Sequence, residues 1–589
     1  MKKSLLYSSV FLIVWIGILA GLEGLFRIFH IGYSTQPFER ISSLSSYLRD
    51  NQRFANKYYP FQAISTLSGN LYHLFPHPKP TNTLRIFVLG GSTAQGFPYY
   101  PNHSFSKIIE QALLHTGLYQ DVEVMNLGMS ALSSYYIADI APKLLTYQPD
   151  VILIYAGQNE YYGTITSLQK PFWMQKLYLS LKEWRIFQWL FALVETRKNR
   201  PDENLMAQQF AKKRIPANPM QDKRIATDFG KNIQSVVKFY TRRKIPVFVY
   251  EPVCNLIDMP PFSSEGEENI ASFVKAYHHL FTNTRLLAQK LAQDGVLEKL
   301  KYHFPSNAHV LYLEGLLALE KGEPFLDILE KAKDLDTTPF RYRSEIREAL
   351  YTLEHQESSN RYFVFIPLRE EIIHRYGSNA FDNTLFIDHL HFKRKGQHLL
   401  AQLFCEYWLG YSHTPSNALV SLRNFFSTPD QVEKGIFYHS YYDYEAESRV
   451  AGLLMEPPYS LMLLPYQRKG SLLSHPFLLS NSSEITRYLA QTNDFLKVYF
   501  TYLYNKQKFE EMASLINAIR QVSPAHPQSY YNIAIFLSTT NAYSEEAAQA
   551  WLMAILLSEK TNQNILSNAI RYFSYHHKED ILRQWRIKR

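Results

Sequence analysis

From residue 84 onward, short continuous apolar runs alternate with segments whose apolar residues recur every three or four positions. The runs "RIFVLG", "DVEVMNLG", "VILIYAG" and "KIPVFVYEPV" read as strands, whereas "SFSKIIEQALLHT", "SYYIADIAPKLLTYQ" and "GQHLLAQLFCEYWL" carry helical periodicity. Alternation at this spacing predicts parallel pairing with helices on both faces, an α/β fold over residues 81–412. Two helical stretches interrupt it, at about 165–235 and 285–355, and read as insertions. In open sheets of this kind ligands bind beyond the carboxyl ends of the strands, so the loops that follow the strands are where chemistry is expected.

The pattern changes at both ends. Residues 413–490 show no clear period and stay unassigned as a connecting region. From 491 to 589 helical periodicity returns, and Phe509 and Tyr543 stand 34 residues apart with acidic and small residues at matching places. That spacing predicts a tetratricopeptide-like, all-α region able to hold a protein partner. At the start, Lys2 and Lys3 precede an uncharged, mostly apolar run from Ser4 to Leu22. Ala20 and Gly21 make a poor cleavage site, so residues 1–30 are expected to be an uncleaved transmembrane signal anchor that leaves the rest of the chain outside the cytoplasm. Residues 31–80 read as a lead-in segment.

Composition narrows the function classes. With 589 residues, 46% hydrophobic and 15% aromatic, the chain has material for several packed domains. The 62 Lys+Arg and 53 Asp+Glu leave a charge of +9, but the basic clusters at 212, 242 and 393 are scattered, so no nucleic-acid track is expected. Cys254 and Cys405 are the only cysteines, which gives neither a disulfide framework nor a thiolate zinc site.

The most telling stretch is "LRIFVLGGSTAQGFP", a strand that runs into two glycines and a serine. A phosphate loop needs Lys and Ser/Thr after its last glycine, where Phe97 and Pro98 stand; a dinucleotide loop needs glycines where Ser92 and Ala94 stand. A nucleophile needs a base, an acid to orient it and donors for an oxyanion on neighbouring loops. "NLGMSA" puts Gly128 at a strand end, where its N–H can point at a ligand, and "YAGQNEYYG" puts Asn159 at the equivalent edge, where its amide can donate. "LFIDHLHFKRKGQ" carries Asp388 and His391 three residues apart on one loop, the imidazole to reach Ser92 and the carboxylate to fix its tautomer. Singly, each has a bland reading: a tight connection at Gly91–Ser92, an Asx turn at Asn159, a structural His391. His389 and His391 have no second ligand cluster in the sequence, so neither metal nor cofactor is expected.

Taken in order, "GGST", "NLG", "GQNE" and "DHLH" resemble the four blocks of SGNH (GDSL-type) hydrolases, over roughly residues 80–412. The resemblance implies a three-layer α/β/α domain with Ser92 as nucleophile, Asp388 and His391 completing the triad, and the N–H groups of Ser92 and Gly128 with the Asn159 side chain forming the oxyanion hole. Gly91 stands where the family name has Asp; such "GGST" forms are similar to membrane-anchored bacterial members. "EPVCNLIDMPPF" is similar to a P-x-x-N-L stretch in members that carry tetratricopeptide repeats, which makes Asn255 a candidate lining residue. The implied activity is that of a serine esterase on an ester-bearing substrate, with an acylated envelope polysaccharide or a lipid as the accessible choice for a tethered enzyme. Two alternatives share these residues: an O-acyltransferase using the same triad, and a repeat scaffold with an inactive hydrolase domain.

Overall fold

The computed structural model describes residues 2–59, 73–99, 101, 103–195, 214–280, 283–466, 499, 502–522, 524–538 and 544–584. Its centre is a five-stranded parallel sheet of β4 (Thr83–Gly90), β5 (Asp121–Asn126), β6 (Val151–Tyr155), β7 (Val247–Tyr250) and β8 (Phe363–Ile366), in the order β5-β4-β6-β7-β8. Strands β4, β6 and β7 are buried at every position, which is why they read as unbroken apolar runs rather than alternating ones. The chain leaves β4 for one neighbour, β5, and returns past it to β6. Right-handed crossovers therefore send the helices Phe105–His115 and Ser134–Leu144 to opposite faces. Each is joined by a partner, the former by Arg394–Tyr411 and the latter by Pro219–Thr241. The strand order reverses between β4 and β6, and in open sheets of this kind ligands bind beyond the carboxyl ends at such a switch point.

Between β6 and β7 lie the helices Phe172–Leu181, Arg185–Glu195 and Pro219–Thr241, and between β7 and β8 a run of short helices extends from Glu267–Lys275 to Ser344–Gln356. Strand β8, "FVFI", closes one edge of the sheet. The segment expected to be a lead-in instead forms a three-stranded antiparallel sheet, β1 (Phe38–Ile41), β2 (Leu44–Asp50) and β3 (Leu74–Pro76). It has a purpose at the other edge: His73 Nε2 accepts the outward backbone N–H of Asn126 at 3.0 Å, satisfying a donor that an edge strand would otherwise leave open.

The expected membrane anchor needs correction. Among the described residues no helix is long and apolar enough to cross a membrane, and the placement of the chain outside the cytoplasm, which rested on that anchor, goes with it. So does the reason for favouring envelope polysaccharide or lipid esters. The N-terminal helix Lys2–Ile28 is present, although the side chains of residues 2–10 and 12 lie outside the described part. Its last turns carry Glu23 and Arg27, paired at 2.8 Å, and Glu23 is buried and accepts the backbone N–H of Ile186 at 3.2 Å. Phe26 meets Trp189 beside it. Hydropathy alone does not separate a spanning helix from one that docks its polar end on the rest of the protein.

After residue 412 the helices Ser416–Phe425, Pro429–Gly435 and Ser440–Leu454 continue the fold where the sequence shows no period. The helices from Phe509–Val522 to Glu579–Gln584 share a core of their own around Trp551, joined by Tyr441 from the preceding region and Ile41 from β1. Tyr543, half of the spacing signal, lies outside the described residues.

Candidate active site

The paired glycines after β4 are explained by what they touch. A Cβ on Gly90 would stand 2.0 Å from the Tyr155 carbonyl oxygen, and one on Gly91 would stand 2.3 Å from Asn159 Nδ2. Only bare backbone lets the end of β4 lie against the end of β6 and lets the Asn159 amide reach the residue before Ser92. Ser92 opens a single helical turn, Ser92–Gln95, and is half-buried at the switch point of the sheet.

Ser92 Oγ lies 2.7 Å from His391 Nε2, and His391 Nδ1 lies 2.6 Å from Asp388 Oδ2. The second carboxylate oxygen, Oδ1, accepts the backbone N–H groups of Leu390 at 2.9 Å and His391 at 2.8 Å. Burial alone would raise the Asp388 pKa, but the opposing charges of His391 and His389 and their hydrogen bonds outweigh it and hold the carboxyl well below the usual carboxylate range. An ionised carboxylate has no proton to give, so His391 Nδ1 is the donor in that bond, and in the neutral imidazole Nε2 is the acceptor for the serine hydroxyl. The Phe97 ring sits 4.6 Å from the imidazole, centre to centre.

The loop that carries the acid and the base closes on itself. Ile387 N donates to His391 O at 2.8 Å, Lys393 N to Leu385 O at 2.7 Å, and the Phe386 and Phe392 rings stack. Asn255 fastens it from behind. Its backbone N–H donates to His389 O at 3.0 Å, and its amide donates to Asp388 O at 3.2 Å and to Asn383 Oδ1 at 3.0 Å. Its own oxygen accepts from Asp258 N at 3.0 Å. Asn255 is wholly buried, so the structure places it as a brace of the acid–base loop rather than as a wall of the site.

On the anion side the residues divide. Asn159 Nδ2 donates to Leu132 O at 3.1 Å beside Gly91, which leaves the amide's second N–H for a ligand. Gly128 is different: its N–H donates to Asn126 Oδ1 at 2.9 Å, and a Cβ there would stand 2.3 Å from Gln95 N. Gly128 thus lets β5 pack under the serine turn, and Asn126 ties that turn down by donating to Ala94 O at 2.9 Å. The sequence reading missed Asn126 and missed Ala131. Ala131 takes a left-handed conformation with φ 59°, between the Asn159-bound Leu132 and the half-buried Ser130. Among the described residues, neither the Ser92 N–H nor the Ala131 N–H has an acceptor. An alanine in that conformation leaves no mark in sequence, since glycine or asparagine usually fills it.

The groups with metal-ligand potential are Asp388, His389 and His391, whose donor atoms lie within 4.8 Å of one another. Their present bonds are within the triad and its surroundings: Asp388 Oδ2 lies 2.6 Å from His391 Nδ1, and His389 Nδ1 is bonded to Tyr459 Oη at 2.6 Å.

No family model matches the chain, and no curated protein matches it. A solved structure described as a gut microbial diltiazem-metabolizing enzyme aligns with 11% identity and a TM-score of 0.25, over 56% of this chain and 47% of that one. The chain thus spans about half the length of that protein, and the likeness is too slight to bear on fold or function.

Proposed function

We propose that this chain is a serine esterase of the SGNH type. The observation that carries the reading is the unbroken hydrogen-bond chain from Ser92 Oγ through His391 to a buried, ionised Asp388, at the carboxyl edge of a parallel sheet. Ser92 Oγ attacks the ester carbonyl carbon while its proton passes to His391 Nε2, and Asp388 stabilises the resulting imidazolium. The developing oxyanion accepts from the Ser92 N–H and the Asn159 amide, with the Ala131 N–H in the place first given to Gly128; one such donor contributes about 3–4 kcal/mol to the transition state. Collapse expels the alcohol, which takes the proton from Nε2. Water then attacks the acyl-serine and gives a proton to Nε2; collapse breaks the bond from Ser92 Oγ to the acyl carbon, Nε2 returns the proton to Oγ, and the acid is released.

The test is hydrolysis of p-nitrophenyl acetate and longer-chain esters by the full chain. Turnover that disappears in Ser92→Ala, with the variant's thermal unfolding unchanged, supports the reading. Equal rates for the two proteins refute it.

A further inference from the structure

The region that follows the α/β domain reaches back to both catalytic loops. Arg449 Nη1 donates to Pro98 O at 3.1 Å, next to the Phe97 ring that covers His391. Tyr459 Oη bonds His389 Nδ1 at 2.6 Å, and the Tyr466 hydroxyl lies 2.6 Å from Asn383 Oδ1 and 2.8 Å from Ile387 O. Between these contacts, Ala446 and Val450 of the helix Ser440–Leu454 form one apolar cluster with Tyr99 from the serine side and Ile387 from the histidine side. One short stretch of chain thus touches both the loop after Ser92 and the loop before His391.

We propose that residues 449–466 form a clip that sets the distance between Ser92 and His391, with Arg449, Tyr459 and Tyr466 as positioning residues; the inference rests on the esterase reading above. Packing of one region on another needs only apolar surface. Here three polar side chains end on the two loops that must meet for proton transfer, where a displacement of about 1 Å costs on the order of a hundredfold in rate. Tyr459 also fixes the ring of His389, whose Nδ1 stands 3.4 Å from Asp388 Oδ1, so it bears on the carboxylate that orients the base.

The test compares Tyr459→Phe, Tyr466→Phe and Arg449→Met with the wild-type full chain, in ester hydrolysis and in backbone amide exchange. Each variant is expected to lose about tenfold or more in kcat with KM little changed, and to exchange faster at residues 385–393 or 97–99. Arg449→Lys should restore most of the Arg449→Met loss, and since Arg449 is half-buried this pair tests the clip even where a tyrosine variant fails to fold. Unchanged kcat and unchanged exchange in these loops overturn the clip. A wild type that exchanges slowly there yet hydrolyses no ester overturns the esterase reading instead, and the exchange data still decide whether the clip holds the loops.

Discussion

Ser92 Oγ and His391 Nε2 lie 2.7 Å apart although 299 positions separate them in the chain. The sheet makes this possible: Ser92 opens the turn just after β4, and the loop carrying His391 is tied through Asn255 to the segment that follows β7. Proton transfer then depends on the tautomer that Asp388 imposes.

Replacing that carboxylate tests the dependence. Asp388→Asn keeps the shape but removes the anion that obliges His391 Nδ1 to carry the hydrogen. The expected loss is roughly 10⁴-fold in kcat, measured by ester hydrolysis, with little change in the far-ultraviolet circular dichroism spectrum.

The two anion-side residues should fail differently. Asn159→Ala removes a donor and should lower kcat about 10²–10³-fold while the protein unfolds near its normal temperature. Gly128→Ala puts a methyl group 2.3 Å from Gln95 N, a backbone atom, so it should lower the unfolding temperature and disturb the serine turn. If Gly128→Ala is as stable as wild type, the packing role assigned to Gly128 is wrong.

Asn255 offers a test of the brace. Asn255→Asp turns a donor into an anion facing the Asp388 carbonyl and Asn383 Oδ1, both buried. The expected cost is about 2–4 kcal/mol of stability, from losing two hydrogen bonds and leaving their acceptors unsatisfied. Denaturant unfolding measures it, and the acid–base loop should be the first region to gain amide exchange.

Glu160, next to Asn159, gives a pH dependence. Burial raises its pKa from 4.5 to about 7, against the lowering effect of its hydrogen bonds from Ser134 N and Oγ. Because the folded-state pKa is raised, the folded state holds the proton more tightly than the unfolded state does. The stabilisation is fully present below about pH 4.5 and is lost as pH rises through about 7. Its size is about 3 kcal/mol. Glu160→Gln should flatten the decline of unfolding free energy over that range; an unaltered slope assigns the decline to other groups.

Much of this was legible in the sequence, for physical reasons. The central strands are buried on both faces and so stand out as apolar runs, and the loops that follow them display Ser92, Asn159, Asp388 and His391 in chain order. Strand β8 was not, because four apolar residues beside a helical stretch carry too short a period to distinguish. Strands β1–β3 were hidden by polar residues such as those of "LSSYLRD". The functions of Gly128, Asn126 and Asn255 depend on partners far away in the chain, which local pattern does not reveal. The N-terminal helix misled because its apolar run looks the same whether the helix spans a bilayer or carries Glu23 into a contact with Ile186.

The most direct measurement is covalent capture of the nucleophile. Full-length protein treated with a fluorophosphonate and digested should yield one modified peptide with the adduct on Ser92. The same adduct should be absent from Ser92→Ala and slowed at least a hundredfold in His391→Ala. Folded protein that takes up no reagent at Ser92, or takes it up equally fast without the imidazole, contradicts the account.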